Sequence, residues 1–432
     1  MIGPRIARGL GLTEAQLTRV WPFFAVYMLL FMALSIADAV GLSLFASRVG
    51  ADRLPVVYSA TALLSLIAIG VYLTRATRTK PVTMFHGILG GACLLFTLAW
   101  GSQIPYGGIL VFGALFITRE VALTLVLMHF GTFLQDYFTR AEMNRLLPVI
   151  YAGGRAGGML GGVIVSSLAV RIGTPNLLPI VVGLLTLAWI GITRIGLRVE
   201  EVPDEDAAPA EATALPPIPP RSVRSSVVTF LRELRRCPLM IGLTATTLLF
   251  VCCRWFLAFQ YTSAFEQHFN SEAEFAAFLG YYTQVALLIS FMLQLFVVNR
   301  LVGRLGVPGT HLLYCISVFA SLSGFLFGNV FPLAIASRFV ENELRFGIRN
   351  PVNQMMINRF TKRQRIVMRG WSLGWLIPVG TLAASGFLSI LSALGGTRSV
   401  AVGGAVIGAA LVLTAYRLRR PYSEFRQDPR KP

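Results

Sequence analysis

Five charged side chains fall within twelve positions of an otherwise apolar region: Arg338, Glu341, Glu343, Arg345 and Arg349, in the run SRFVENELRFGIRNP (337–351). At about 100° per residue of α-helix, Arg338, Glu341, Arg345 and Arg349 share an arc of about 80°. Asn342 borders that arc and Glu343 points elsewhere. Arg338–Glu341 and Glu341–Arg345 are spaced i,i+3 and i,i+4, so part of the charge is neutralised within the helix, and Arg349 is the remainder. The flanking sequence reads as lipid-soluble helix, where each charge costs about 2.5 to 3.5 kcal/mol at mid-bilayer. Two arrangements meet that cost. The arc is either a charge ladder cementing one helix to its neighbour or one wall of a polar central cavity. The cavity is the working expectation, because a guanidinium fork binds phosphate or carboxylate through two hydrogen bonds at once.

Other apolar segments carry matching groups: Asp38, Arg119, Glu120, Arg155 and Arg254. Together these give six intramembrane arginines (119, 155, 254, 338, 345, 349) against four acids (38, 120, 341, 343), a small positive excess that favours an anionic solute. Asp38 and Glu341 are candidates for proton coupling if burial raises their pKa. For Asp38, pairing with a neighbouring arginine and a water-exposed helix end are the alternatives. The stretch YAGGRAGGMLGG (151–162) holds two glycine series in steps of four, at 153, 157 and 161 and at 154, 158 and 162. Such faces let another helix approach backbone to backbone, and a surface that slides is the functional version of the same packing. Gly154, Gly158 and Gly162 are therefore expected to pack or gate. Arg155 among them is a gate contact or a lipid-headgroup anchor.

Catalytic chemistry is not in evidence. The five cysteines (93, 237, 252, 253 and 315) lack CxxC spacing and read as free thiols, and His86, His129, His268 and His311 have no metal-ligand spacing. No nucleophile–base set or Gly-rich phosphate loop stands out, so no enzyme activity, cofactor or metal is expected.

The elements that must hold these residues are membrane helices. The chain has 432 residues, 55% of them hydrophobic and 13% charged, about half the charge of a soluble domain. A crossing needs about 20 apolar residues. Twelve runs qualify, at about 21–47, 54–74, 81–101, 106–134, 146–170, 176–196, 239–264, 275–298, 309–328, 331–357, 370–393 and 398–417. The first starts too far in, with no small-residue cleavage site after it, to read as a removable signal peptide. Lys and Arg gather in alternate loops, from Arg5 to Arg19, Arg75 to Lys80, Arg140 to Arg145, Arg194 to Arg236, Arg300 to Arg304, Arg359 to Arg369 and beyond Arg417. The opposite loops hold only Arg48, Arg53, Arg171 and Arg398. That bias puts both termini in the cytoplasm. It also accounts for the net charge of +18 as anchors facing anionic lipid, not a nucleic-acid surface.

The segment 199–220 is acidic and rich in Pro and Ala, as a linker is. Residues 222–236 alternate apolar and basic side chains, as an amphipathic helix on the inner leaflet does. The expected organisation is an N-terminal cytoplasmic amphipathic segment (1–20), a six-helix half (21–198), a linker with an amphipathic helix (199–236), a second six-helix half (237–418) and a cytoplasmic tail (419–432). Thr13 and Gln16 are placed to form a capping box. The halves repeat weakly: an offset of 219 lays Arg119 on Arg338, Gln135 on Gln354 and Arg140 on Arg359. Six plus six helices with a central loop is an all-α membrane architecture of the major facilitator type.

Two stretches carry a family resemblance. ADAVGLSLFASRVGADRLPVVYSATALL (37–64) resembles the first two spans of bacterial relatives of the ATP/ADP translocases, the nucleotide exchange transporters. Those have an acidic residue in span 1, here Asp38, and a turn matched here by Gly50, Ala51, Leu54, Pro55 and Tyr58. YFTRAEMNRLLPVIYAGGRAGGMLGG (137–162) is similar to their basic loop and Gly-rich fifth span, and the likeness extends weakly to ENELRFGIRNPVNQMMINRFTKRQR. The resemblance implies nucleotide exchange by a major-facilitator-like protein of the bacterial inner membrane. The chain departs from it in having three lysines, Lys80, Lys362 and Lys431, none inside a span, where the translocases use intramembrane Lys and Glu.

The resulting expectation is a secondary active transporter that moves an anionic solute, such as a nucleotide or another phosphorylated metabolite, by alternating access. Arg338, Arg345, Arg349, Arg119 and Arg254 would bind the solute. Asp38, Glu341, Glu120 and Glu343 would pair with them or couple transport to an ion. The partners are the anionic small molecule and membrane lipid, with oligomeric state open. A lipid flippase using the same arginines and a non-transporting scaffold or sensor are the rivals.

Overall fold

In the computed structural model, residues 13–76, 78–106, 108–199, 232, 234, 237–328, 330–360, 364–365, 368 and 375–425 are described. Every regular element among the described residues is a helix, as an apolar sequence in lipid requires if each backbone polar group is to find its partner within its own segment. The elements are α1 (Glu14–Arg48), α2 (Leu54–Ala76), α3 (Pro81–Tyr106), α4 (Ile109–Gln135), α5 (Arg140–Ile172) and α6 (Leu178–Arg198). They continue with α7 (Pro238–His268), α8 (Glu272–Leu293), α9 (Asn299–Gly324), α10 (Phe331–Phe339), α11 (Asn350–Ile357) and α12 (Ile377–Glu424). The broader π-helix, bonded i→i+5, follows α8 at Gln294–Val298 and joins α10 to α11 at Val340–Arg349.

Local signals set several helix ends. Thr13 and Gln16 form the expected capping box at the start of α1, at 3.1 and 3.2 Å. Thr139 and Glu142 form a second at α5. These satisfy backbone N–H groups that have no partner within the helix. The turns after α1 and α5 run through Gly50 and Gly173 at φ 98° and 84°, a backbone region open to glycine.

Ten segments of the described residues are long and apolar enough to cross a membrane, where the sequence led us to expect twelve. The difference has two sources. The run 331–357 is interrupted by its charged π-helical stretch, and α12 leaves helical geometry at Gly395 and Gly396, between the expected eleventh and twelfth spans. Long apolar side chains such as Leu63, Ile67, Leu98 and Leu110 stand outward on α2, α3 and α4, where hydrocarbon is their solvent. The protein is an integral membrane protein.

Two compact units divide the chain: Met1–Val49, Ile67–Ala214 and Phe269–Leu287 in the first, and Gly50–Leu66, Leu215–His268 and Leu288–Pro432 in the second. Helices α2 and α8 each begin in one unit and end in the other. The N-terminal segment 1–12, nearly all of the linker and its expected amphipathic helix, and the tail beyond 425 lie outside the described residues.

The glycines of α5 organise the first unit. A Cβ built on Gly153 or Gly161 would lie 2.6 Å from the Phe24 carbonyl oxygen or 2.8 Å from that of Met32, and one on Gly157 would overlap the Met28 carbonyl. This series therefore seats α5 directly on the backbone of α1. The other series meets different partners: Tyr27 at Gly154, Leu287 at Gly158 and the Gly280 carbonyl at Gly162. Gln284 on α8 donates to the Ser166 hydroxyl at 3.0 Å, and Ser35 donates to the Gly158 carbonyl at 3.2 Å. Close backbone approach of this kind is what small residues provide between helices in lipid. In the second unit, Leu239, Met240, Leu243, Val352, Met356, Ile357 and Leu418 form one buried cluster that packs α7, α11 and α12 together.

Candidate functional site

In the second unit the charges gather around Glu341. Its side chain is 2% exposed, and it receives Arg254 Nε from α7 at 2.9 Å and Arg345 Nη1 at 3.4 Å. The Tyr261 hydroxyl donates to its other oxygen at 3.4 Å. Arg254 and Tyr261 are seven residues apart, two helical turns, and so share a face of α7.

Aromatic rings flank each of the four arginines. Arg254 lies 4.6 Å from the centroid of Trp255, Arg338 5.4 Å from Tyr261, Arg345 4.6 Å from Phe346 and Arg349 3.6 Å from Phe250. Trp255 is held in turn by a 2.8 Å hydrogen bond to Thr381 and by Tyr58 at 4.2 Å between centroids. Guanidinium planes stacked in this way are oriented and partly desolvated before any ligand arrives. Counting Glu343, which is half-buried, Arg254 and the stretch 338–349 together comprise two acids and four arginines.

The first unit holds a smaller knot. Arg119 Nη2 on α4 meets Asp38 on α1 at 3.0 Å, and its Nη1 contacts Glu120. Of the three readings open for Asp38, the structure shows the arginine pairing. Arg155 is half-buried on α5, between the two glycine series.

The segment that carries the expected arc is π-helical from Val340 to Arg349, so the 100° spacing does not hold there. Arg338, Glu341 and Arg349 are buried and Arg345 is partly so. The internal pair Glu341–Arg345 forms as spaced. Arg349, by contrast, has no ion pair among the described residues and rests on Phe250. Sequence reasoning singled out neither Tyr261 nor Trp255; the available signal was the i,i+7 spacing from Arg254 and adjacency to it. The five cysteines are free thiols. Among the described residues no three His, Cys, Asp or Glu side chains lie together as metal ligands would.

No family model matches the chain, and no curated protein matches it. Solved structures do. The nucleoside transporter NupG aligns with a TM-score of 0.66 at 12% identity, over 94% of this chain and 99% of its own. A POT family peptide transporter in an auto-inhibited form aligns at 0.61 and 13%, over 97% and 99%. A bacterial homologue of the human lysosomal transporter Spinster aligns at 0.56 and 13%, over 96% and 99%. At this identity the likeness is one of architecture over nearly the whole length: the chain has the major facilitator fold.

Proposed function

We propose that this protein is a secondary active transporter that moves an anionic solute by alternating access, and is not an enzyme. One observation carries the reading: in the second unit Arg254, Arg338 and Arg345, buried or half-buried and each set against an aromatic ring, outnumber the two acids Glu341 and Glu343. A cement of ion pairs needs no excess of one sign. A binding site for an oxyanion does, because the ligand supplies the missing charge. The three transporters of the same fold support transport of a small molecule. In this reading Arg254, Arg338 and Arg345 bind the anionic group, and Arg119 is the solute-binding arginine of the first unit. Glu341, Asp38, Glu120 and Glu343 hold the arginines when the site is empty. Arg349, expected beside them, rests instead on the Phe250 ring, with no ion pair among the described residues. Gly154, Gly158, Gly162 and Arg155 serve packing and gating. The charge bias of the loops supports a bacterial inner-membrane location with both termini cytoplasmic, and the resemblance to ATP/ADP translocases makes a nucleotide the first solute to try.

The test is uptake of labelled ATP into proteoliposomes preloaded with ADP, with the intact chain and with Arg345→Ala. Uptake that requires internal ADP and collapses in the variant is the expected result. Absence of uptake by folded protein rejects nucleotide exchange. The same vesicles challenged with labelled phosphate esters, carboxylates and phospholipid then decide the solute class, and inactivity toward all of them rejects transport of anions.

A further inference from the structure

Arg349 is 7% exposed, inside a stretch flanked by lipid-soluble helix, with no carboxylate at ion-pair distance among the described residues. Glu341, on the same segment, is already shared by Arg254 and Arg345. A buried guanidinium without a counter-charge is among the costliest arrangements a protein can hold, and Arg345 close by adds like-charge repulsion.

Two more unsatisfied groups lie beside it. His311, Tyr314 and Cys315 sit at i, i+3 and i+4 on α9, so they present one face. That helix packs against the π-helical segment that ends at Arg349, and the Phe250 ring touches both Arg349 and Tyr314. His311 and Tyr314 are each 2% exposed, yet His311 Nδ1 and the Tyr314 hydroxyl have no hydrogen-bond partner among the described residues. His311 Nε2 lies 3.7 Å from Cys315 Sγ. With the thiol donating to Nε2, the ring proton sits on Nδ1, which makes that atom a donor. Phe250 closes the group, with Arg349 over its ring and Tyr314 at 5.9 Å between centroids.

A guanidinium, a phenol and an imidazole N–H are thus brought together in an apolar setting, with no acceptor for any of them among the described residues. Water would satisfy the hydroxyl and the imidazole but leave the charge uncompensated. An extended solute does not suit groups that are all more than nine-tenths buried. We propose that Arg349, Tyr314 and His311 form a resident site for a small inorganic monoanion of the chloride class, separate from the Glu341 knot. The ion supplies the counter-charge that Arg349 lacks among the described residues. This goes beyond the transport reading and does not depend on it.

The experiment uses the full chain purified in detergent. Its thermal unfolding midpoint is followed as sodium chloride replaces sodium gluconate at constant ionic strength. The midpoint of the intact protein rises with chloride and saturates. Arg349→Gln abolishes the rise. Tyr314→Phe, which removes one hydroxyl and keeps the ring, moves half-saturation to about tenfold higher chloride, the loss expected for one hydrogen bond to a charged group. Arg254→Gln, in the other knot, keeps the chloride response. A midpoint indifferent to chloride overturns the proposal, as does an equal response in the intact chain and in Arg349→Gln. If either variant fails to fold, bromide exchanged into the intact protein settles the matter: an anomalous diffraction peak against Arg349 supports the site, and none there rejects it. Failure of ATP uptake, by contrast, leaves each of these readouts unchanged.

Discussion

Gly157 and Gly158 are neighbours on one helix, and replacing each with alanine has very different expected costs. Gly157 faces the α1 backbone, where an added methyl would overlap the Met28 carbonyl and lie within 3.0 Å of the Met28 Cα. Its series-mates Gly153 and Gly161 fall 0.6 to 0.8 Å short of the 3.4 Å at which ordinary contact begins, the obstacle in each case being a carbonyl oxygen. Backbone cannot rotate away as a side chain can, so α1 and α5 must separate by a large part of an ångström along their contact. Overpacking of that kind costs about 1 to 3 kcal/mol, and Gly157→Ala belongs at the upper end, offset by about 1 kcal/mol from the better helix propensity of alanine. The methyl of Gly158→Ala meets only Leu287 Cδ1 at 2.7 Å, the tip of a side chain that can turn. Its cost and its propensity gain nearly cancel. The assay is unfolding of the purified protein by heat or by SDS in mixed micelles, with the two variants side by side. Gly157→Ala is expected to lose about 2 kcal/mol and Gly158→Ala to lie within about 0.5 kcal/mol of the parent. Equal losses, or a larger loss at Gly158, would refute the assignment of the two series to different neighbours.

The charge knots give two further expectations. Glu341→Gln removes the carboxylate that Arg254 and Arg345 share, and breaking a buried pair in this way is expected to cost about 3 kcal/mol; a loss under about 1 kcal/mol would mean that water, not Glu341, satisfies those arginines. Asp38→Asn, Arg119→Gln and the double variant form a cycle across the 3.0 Å pair of the first unit. Coupling of about 1 kcal/mol is expected, and additivity within about 0.3 kcal/mol would show the pair to be energetically silent.

Much of this fold was legible because lipid restricts backbone to helix and apolar runs mark the crossings. The gap expected between 393 and 398 coincides with the break at Gly395 and Gly396, and the capping box at Thr13 was plain from two residues. Residue types at the site were legible too, since a charge in an apolar run stands out against a large insertion cost. Their partners were not. Arg254 and Glu341 lie on different helices, as do Asp38 and Arg119, and nothing in a single sequence says which faces meet. The π-helix between Val340 and Arg349 was also invisible. A 100° advance per residue was assumed there, and no local residue pattern distinguishes i→i+5 from i→i+4 bonding. Tyr261 and Trp255 were missed for a related reason: aromatic residues are the ordinary filling of a membrane helix, and only contact with a guanidinium sets these two apart.

The π-helical stretch ends against a proline. The Asn350 N–H bonds the Arg345 carbonyl, five residues back. In that register the next carbonyl, that of Phe346, would look to Pro351, which has no N–H to give. Bending a helix normally means breaking a rung of its ladder, at the cost of a backbone hydrogen bond in a solvent that offers no replacement. Here a rung is missing by construction, one turn from Arg345 and next to Arg349. The arginine segment is therefore also a joint, where α11 can bend against α10 with one backbone hydrogen bond fewer to break.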